Sequence, residues 1–327
     1  MSRLSRLCMF FASAGILLFL LYLFTAQSPG IEYARSVILL NDRQRAGRVE
    51  PRQATELIAY RQSGIVGKSA SVISNYLEDM STTLFMPIHI LWKDEQASGG
   101  DALSYAMDAA KQQRQVLLLY TPEMMIEALQ NGIDIHQTFS PIALLARERI
   151  CFAVRADSPH TDLESLQQAA LSGKTIRLGG RSASGGIDEL RFIHLAGLAQ
   201  DRSQYISTGR RAPLFALLDG SVDIACIPMS EALKEEAGGK IRILPCQALQ
   251  DSANVLSMNW LCLLSPSNQP SLRIDYWYQT VYDFSNSLLW KQTAAQEHWV
   301  LSYMDEEQLT RYLQTQRQQL RRMLALD

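Results

Sequence analysis

The chain has 327 residues, of which 47% are hydrophobic and 20% charged, and its formal net charge is −2. That composition can fill a buried core and, by length, about two domains. With no basic tract on a near-neutral chain, nothing supports nucleic-acid binding. The five cysteines (Cys8, Cys151, Cys226, Cys246, Cys262) form no CxxC pair, and the five histidines are scattered. Neither a metal site nor a bound cofactor is therefore expected. Cys151, Cys226 and Cys262 sit in apolar, strand-like runs and read as small buried hydrophobes rather than disulfide partners.

Leu7 to Phe24 contains no charged residue, and Arg3 and Arg6 precede it. At about 1.5 Å per residue, a helix of this length nearly crosses a bilayer core. The arginines keep the N-terminus in the cytoplasm and direct the rest of the chain outward. Ala26-Gln27-Ser28 offers small residues for signal cleavage, but Pro29 comes directly after them. Residues 1–30 thus read as an uncleaved signal anchor in an inner membrane, with a cleaved signal peptide as the other reading. Residues 31–53 read as a charged linker, bounded near Pro51.

Beyond it, strands and helices alternate. Glu56–Tyr60 reads as a strand that ends in a glycine- and serine-bearing turn, Ser63 to Ser69. A helical spacing continues from Ala70 to Met80. Pro87–Trp92 is a strand, Asp101–Lys111 a helix, and Val116–Tyr120 a buried strand that delivers Thr121 and a helix-starting Pro122. Ile150–Val154 is a strand, and Asp162 caps a helix to Ser172. Thr175–Leu178, Tyr205–Ser207, Ile224–Pro228, Ile241–Leu244 and Trp260–Leu264 are further strands. Helices fall over Ile187–Leu198, Ala212–Leu218 and, capped by Ser230, up to Ala237. After Pro270 the pattern is helical to the end, and Asp305 caps the last amphipathic helix. The alternation predicts an α/β fold with a mainly parallel sheet, and ligands collect beyond the C-terminal ends of such strands.

Three turns carry the candidate chemistry. Gly67-Lys68-Ser69 lacks the earlier glycine of a phosphate loop, since Gln62 stands there. A tight turn, and a turn whose Ser63, Gly64 and Ser69 face a cleft, both remain. Gly179 to Gly186 lies between a strand and a helix but has neither dinucleotide-loop nor nucleophile-elbow spacing. Its Arg181, Ser182, Ser184, Gly185 and Gly186 fit an anion-binding nest. Ser182 or Ser184 as a nucleophile has no histidine or acid placed to support it, so no enzyme is expected. Gly209 and Arg210 come after a third strand, where an arginine could pair bidentately with a carboxylate.

Ala153-Val154-Arg155-Ala156-Asp157-Ser158-Pro159 with Asp162, Leu163 and Leu166, then the Gly180–Gly186 turn, Gly209 with Pro213, and Leu217-Leu218-Asp219-Gly220-Ser221-Val222-Asp223 occur in this order. Together they resemble the solute receptors of tripartite tricarboxylate transporters, over about Glu56 to Leu326. The resemblance implies a two-lobed periplasmic-binding-protein fold of type 2, with residues 54–145 and 250–327 in lobe 1 and residues 146–249 in lobe 2. It implies a small organic carboxylate as ligand, integral membrane transporter subunits as partners, and a periplasmic location. It implies ligand contacts from Ser63, Gly64, Gly67, Ser69, Thr121, the Ser182–Gly186 turn and Gly209. The chain departs from the family pattern at Ser71, where an arginine is usual, and at Lys93-Asp94-Glu95-Gln96, where a glycine-rich turn is usual. A membrane-tethered sensory or accessory protein of the same fold is the alternative function.

Overall fold

The buried apolar runs of the sequence pair into one large sheet. The computed structural model describes residues 54–80, 88–93, 99–180, 186–197, 202–208, 212–246, 249 and 256–326. The signal-anchor segment, the linker, Arg181, Ser182, Ser184, Gly185, Gly209 and Arg210 lie outside the described residues. In chain order the elements are β1 (Thr55–Ala59), α1 (Gly64–Met80), β2 (Ile88–Trp92), α2 (Gly100–Lys111), β3 (Val116–Tyr120), α3 (Pro122–Gln130) and β4 (Phe139–Arg155). Next come α4 (Leu163–Leu171), β5 (Ile176–Gly180), α5 (Gly186–Ala196), β6 (Ser203–Ser207), α6 (Pro213–Leu218), β7 (Ile224–Pro228), α7 (Met229–Ala237) and β8 (Ile241–Leu244). The last are β9 (Met258–Pro266), α8 (Ser271–Asn286), α9 (Leu288–Gln296), β10 (Val300–Met304) and α10 (Glu306–Met323). All described residues belong to one compact unit, Pro51–Asp327.

The strands run in the order β2-β1-β3-β9-β4-β7-β5-β6, with β8 and β10 also paired to β4. The outer pairs β1·β2, β1·β3, β5·β6 and β5·β7 are parallel. Every pairing of β4, and that of β3 with β9, is antiparallel. The sheet is therefore mixed, where the alternation of elements suggested a mainly parallel one.

Strand β4 accounts for that difference. Its first part pairs with β9 from Phe139↔Pro266 to Arg149↔Met258, and its last part pairs with β7 from Ile150↔Pro228 to Ala153↔Ala225. It begins eleven residues before the Ile150 start expected from sequence. Pro141, which donates no ladder hydrogen bond, and the charged Arg147-Glu148-Arg149 make that half read as a loop. The structure accommodates Pro141 at a register shift between Pro141 and Ala143.

The core divides along β4. One cluster of buried side chains is drawn from residues 57–146, 256–320 and Ile187. Two smaller ones flank the other part of the sheet. Ile150, Phe152 and Val154 belong to one of these, and Cys151 and Ala153 to the other. Successive residues of a strand face opposite sides, so a continuous apolar run buries both faces. Cys151, Cys226 and Cys262 are buried free thiols, as their apolar surroundings suggested.

Three local expectations change. Helix α1 begins at Gly64, not Ala70, and takes in the turn after β1. Ser230 does not cap α7, which starts at Met229 behind Pro228 with no side-chain cap. The tail is not wholly helical, because β10 pairs antiparallel with Leu144–Arg147 of β4. Asp305 does cap α10: it accepts from Gln308 N at 2.9 Å, and Gln308 Oε1 accepts from Asp305 N at 3.4 Å. Each bond satisfies a donor that the helix itself leaves open.

Candidate functional site

At the point where β4 changes partners, a cleft of about 580 Å3, counting its open mouth, is lined by the ends of β1, β3 and β7 and the starts of α1 and α5. Its walls carry Arg61, Thr121, Glu123, Glu148, Asp188 and Asn259.

Arg61 comes directly after β1. Its guanidinium lies over the Tyr60 ring, 4.9 Å from the centroid. It makes no hydrogen bond or ion pair among the described residues, and it lines the cleft. Burial lowers its pKa, but Tyr60, Glu123, Asp188 and Glu148 together outweigh that and raise it. All four therefore lie close enough to act on it electrostatically.

Behind it, Thr121 Oγ1 donates to Tyr60 Oη at 3.3 Å, and the Tyr60 hydroxyl faces the Glu123 carboxylate. Burial, and to a lesser degree Glu123, pushes the Tyr60 hydroxyl well above its ordinary pKa, so Tyr60 stays neutral. Thr121 is thus already engaged in orienting Tyr60.

Two glycines shape this corner. Gly64 starts α1 at φ +66°, a left-handed backbone open mainly to glycine. Gly67 lies under the Gln62 carbonyl, which would stand 1.9 Å from any Cβ placed there. The chain therefore folds back tightly enough to start the helix six residues earlier than its spacing suggests. The first N–H groups of α1 have no partner within the helix and suit an anion.

The opposite corner is built differently. The first turn of α5 carries Asp188 and Glu189, and Asp188 lines the cleft. Arg191, fully buried, donates from Nη1 to Asp188 Oδ1 at 3.0 Å, from Nη2 to Asn259 Oδ1 at 2.6 Å and from Nε to Leu256 O at 2.8 Å. It ties α5 to the start of β9. Burial pushes the Asp188 carboxyl up, and Arg191 and Arg61 offset part of that. The Cys226 thiol lies against Asp188. Burial, more than that carboxylate, drives its pKa far up and leaves it inert as a nucleophile. Glu148 is buried and accepts from Trp299 Nε1 at 3.3 Å.

Of the residues singled out from sequence, Ser63, Gly64 and Thr121 line the cleft. Gly67 and Ser69 lie inside α1, both buried and neither on the cleft wall. Gly186 opens α5 at φ +52°, two residues before Asp188. Arg61, Glu123, Glu148 and Asp188 were not singled out. The only available signals were a charge just past a strand, a charge inside an apolar run, and acids just after a glycine-rich turn. The Leu217–Asp223 string serves structure instead. Arg177 grips Asp223 bidentately at 2.9 and 3.0 Å and also donates to the carbonyls of Gly220 and Ser221.

Among the described residues no group of three or more His, Cys, Asp or Glu is placed to hold a metal ion. Among them, too, no helix is long and apolar enough to cross a membrane.

No protein-family model matches the chain, and no curated protein matches it in sequence. Solved structures do match. A TctC solute-binding protein from Polaromonas aligns with TM-score 0.62 and 16% identity, covering 85% of this chain and 100% of that one. MatC from Rhodopseudomonas palustris with bound malate aligns with TM-score 0.65 and 16% identity, over 83% and 98%. An adipate-bound protein from the same species aligns with TM-score 0.63 and 18% identity, over 83% and 96%. The fold of this chain is that of the tricarboxylate-transporter solute-binding proteins.

Proposed function

We propose that this protein is an exported solute receptor of the tripartite tricarboxylate-transporter type, which captures a small organic carboxylate in the cleft and performs no chemistry on it. The carrying observation is Arg61, a guanidinium on the cleft wall with no hydrogen-bond partner among the described residues, close to the N-terminus of α1. Arginine matches a carboxylate bidentately, and such bonds are about twice as strong as neutral ones. Malate and adipate in the two R. palustris neighbours support the ligand class.

The residues form two lobes in this reading, 54–145 with 250–327 and 146–249. The separation of the buried clusters at β4 supports that division. The lobes close on the ligand by hinge bending, a motion common to such receptors. Residues 7–24 hold the chain to the outer face of the inner membrane.

A thermal-shift screen against mono-, di- and tricarboxylates tests ligand binding. A ligand at 100 times its Kd adds about 2.7 kcal/mol of stability. A folded sample that responds to no carboxylate overturns the reading. For transport, one small and one large integral membrane subunit co-purify from membranes. Their absence, with ligand binding intact, points instead to the tethered sensory or accessory role that the apolar N-terminal segment favours.

A further inference from the structure

Away from the cleft, a second and much smaller cavity lies between the end of β3, α3, the short turn Ile135–Gln137 and α10. Most of its wall is apolar: Met125, Ala128, Leu129, Ile133 and Ile135. Three polar side chains interrupt that wall, namely Tyr120, His136 and Arg317. Tyr120 is fully buried, yet its hydroxyl has no hydrogen-bond partner among the described residues. The buried Nε2 of His136 has none either. A buried polar group left without a partner costs about 1–3 kcal/mol. Two such atoms on one small cavity make it a polar site rather than a packing defect.

The charges nearby say what kind of guest suits it. Arg317 Nη1 and Asp134 Oδ1 form an ion pair at 3.5 Å. Burial is the main influence on both unpartnered groups, raising the Tyr120 pKa and lowering that of His136. Arg317 and Asp134 also act on both, and on each of them in opposite directions. The two unpartnered atoms therefore lie near the same ion pair, and its two charges offset one another there. Neither an anion nor a cation gains from such a field, and a neutral guest suits it. The space is equally restrictive. About 10 Å3 is open to the centre of a water-sized sphere, close to the least that one water requires.

We infer that this cavity is a binding site for a single ordered water, which joins β3, the Ile135–Gln137 turn and α10. The water bonds to the Tyr120 hydroxyl and to His136 Nε2. It both donates and accepts, so it satisfies the imidazole nitrogen in either tautomer. The Arg317 guanidinium offers a further donor from the same wall. These make up the two to four polar partners that a buried water takes. The site is independent of the solute held in the cleft.

The test has two arms. The first is a crystal structure of the full chain, from crystals soaked in sodium bromide, at a resolution that shows ordered water. One peak is expected in the cavity, at hydrogen-bond distance from Tyr120 Oη and His136 Nε2 and without bromide's anomalous signal. A bromide peak there would make it an anion site and overturn the inference. So would a cavity without density, or a Tyr120 hydroxyl turned to another protein group. The second arm is urea unfolding of Tyr120→Phe, which keeps the ring and removes only the hydroxyl. Deleting a hydroxyl that holds a water should lower the folding equilibrium constant by about three- to tenfold. Deleting one that bonds to nothing relieves a desolvation cost, so an unchanged or higher constant overturns the inference as well.

Discussion

Two arginines, one on the cleft wall and one buried behind it, have opposite surroundings. Arg191, on α5, is fully buried and gives its donors to a carboxylate, an amide and a backbone carbonyl. Arg61, just past β1, is half-buried, stacks on Tyr60 and has no hydrogen-bond partner among the described residues. A desolvated charge persists only when its donors are satisfied. Arg191 is satisfied by the protein, so its role is to hold α5 against the start of β9. Arg61 has no such partner among the described residues and lines the cleft, where a ligand can supply one. The contrast separates a residue that builds the site from one that the site presents.

Removing each guanidinium tests the contrast, and Arg191 gives the larger effect. Arg191→Ala deletes three hydrogen bonds and strands Asp188, whose side chain is 16% exposed. Breaking such a buried pair from one side costs about 3–5 kcal/mol. Urea unfolding should show it as a lower midpoint at unchanged slope. A loss below about 1 kcal/mol would mean that the pair does not clamp α5 to β9. Arg61→Gln should cost less stability than Arg191→Ala, because Arg61 has a ring contact with Tyr60 but no hydrogen-bond partner among the described residues. Carboxylate binding should weaken by about 10- to 100-fold, the worth of a charge-assisted bidentate contact. A variant that unfolds easily but binds normally would reverse the two roles.

The same contrast shows what a sequence can reveal. Val116–Tyr120 and Ile224–Pro228 were legible because a short apolar run bounded by turn residues admits few other structures. The place of Ser63, Gly64 and Thr121 on the cleft wall was legible because clefts in such folds open where strands end. Phe139–Arg149 was not, because its charges find their places only through distant partners. Glu148 sits buried in the sheet beside the Trp299 indole, 151 residues away. Val300–Met304 is short and flanked by helices, and only β4 beside it makes it a strand. Arg61, Glu123 and Asp188 look like solvated surface charges one at a time. Their convergence depends on three helices and strands meeting, which no local pattern records. Arg61, ahead of the first turn, is on the cleft wall, and Ser71 is not.

A third group separates being unpaired from being available. His136 has a buried Nε2 with no hydrogen-bond partner, but it is walled in by Tyr120, Leu129, Ile133 and Arg317 rather than open to the cleft. Burial lowers its pKa below the ordinary value near 6.5. Asp134 opposes that shift and Arg317 adds to it. A histidine held neutral in the fold binds its proton more readily once unfolded, so protonation favours unfolding. Its contribution is intact above about pH 6.5 and is lost as pH falls from there toward the lower folded value. His160, lowered chiefly by burial as well, acts in the same sense. Thermal unfolding between pH 7.5 and pH 5 should therefore show a falling Tm. His136→Gln should flatten that slope in part, with the residue of the slope due to His160. Ligand affinity measured at pH 7.5 should be the same in His136→Gln as in the natural chain, because an enclosed group presents nothing to a solute. A steeper slope in the variant, or a changed affinity, would show that an unpaired donor in this fold need not face the cleft to serve it.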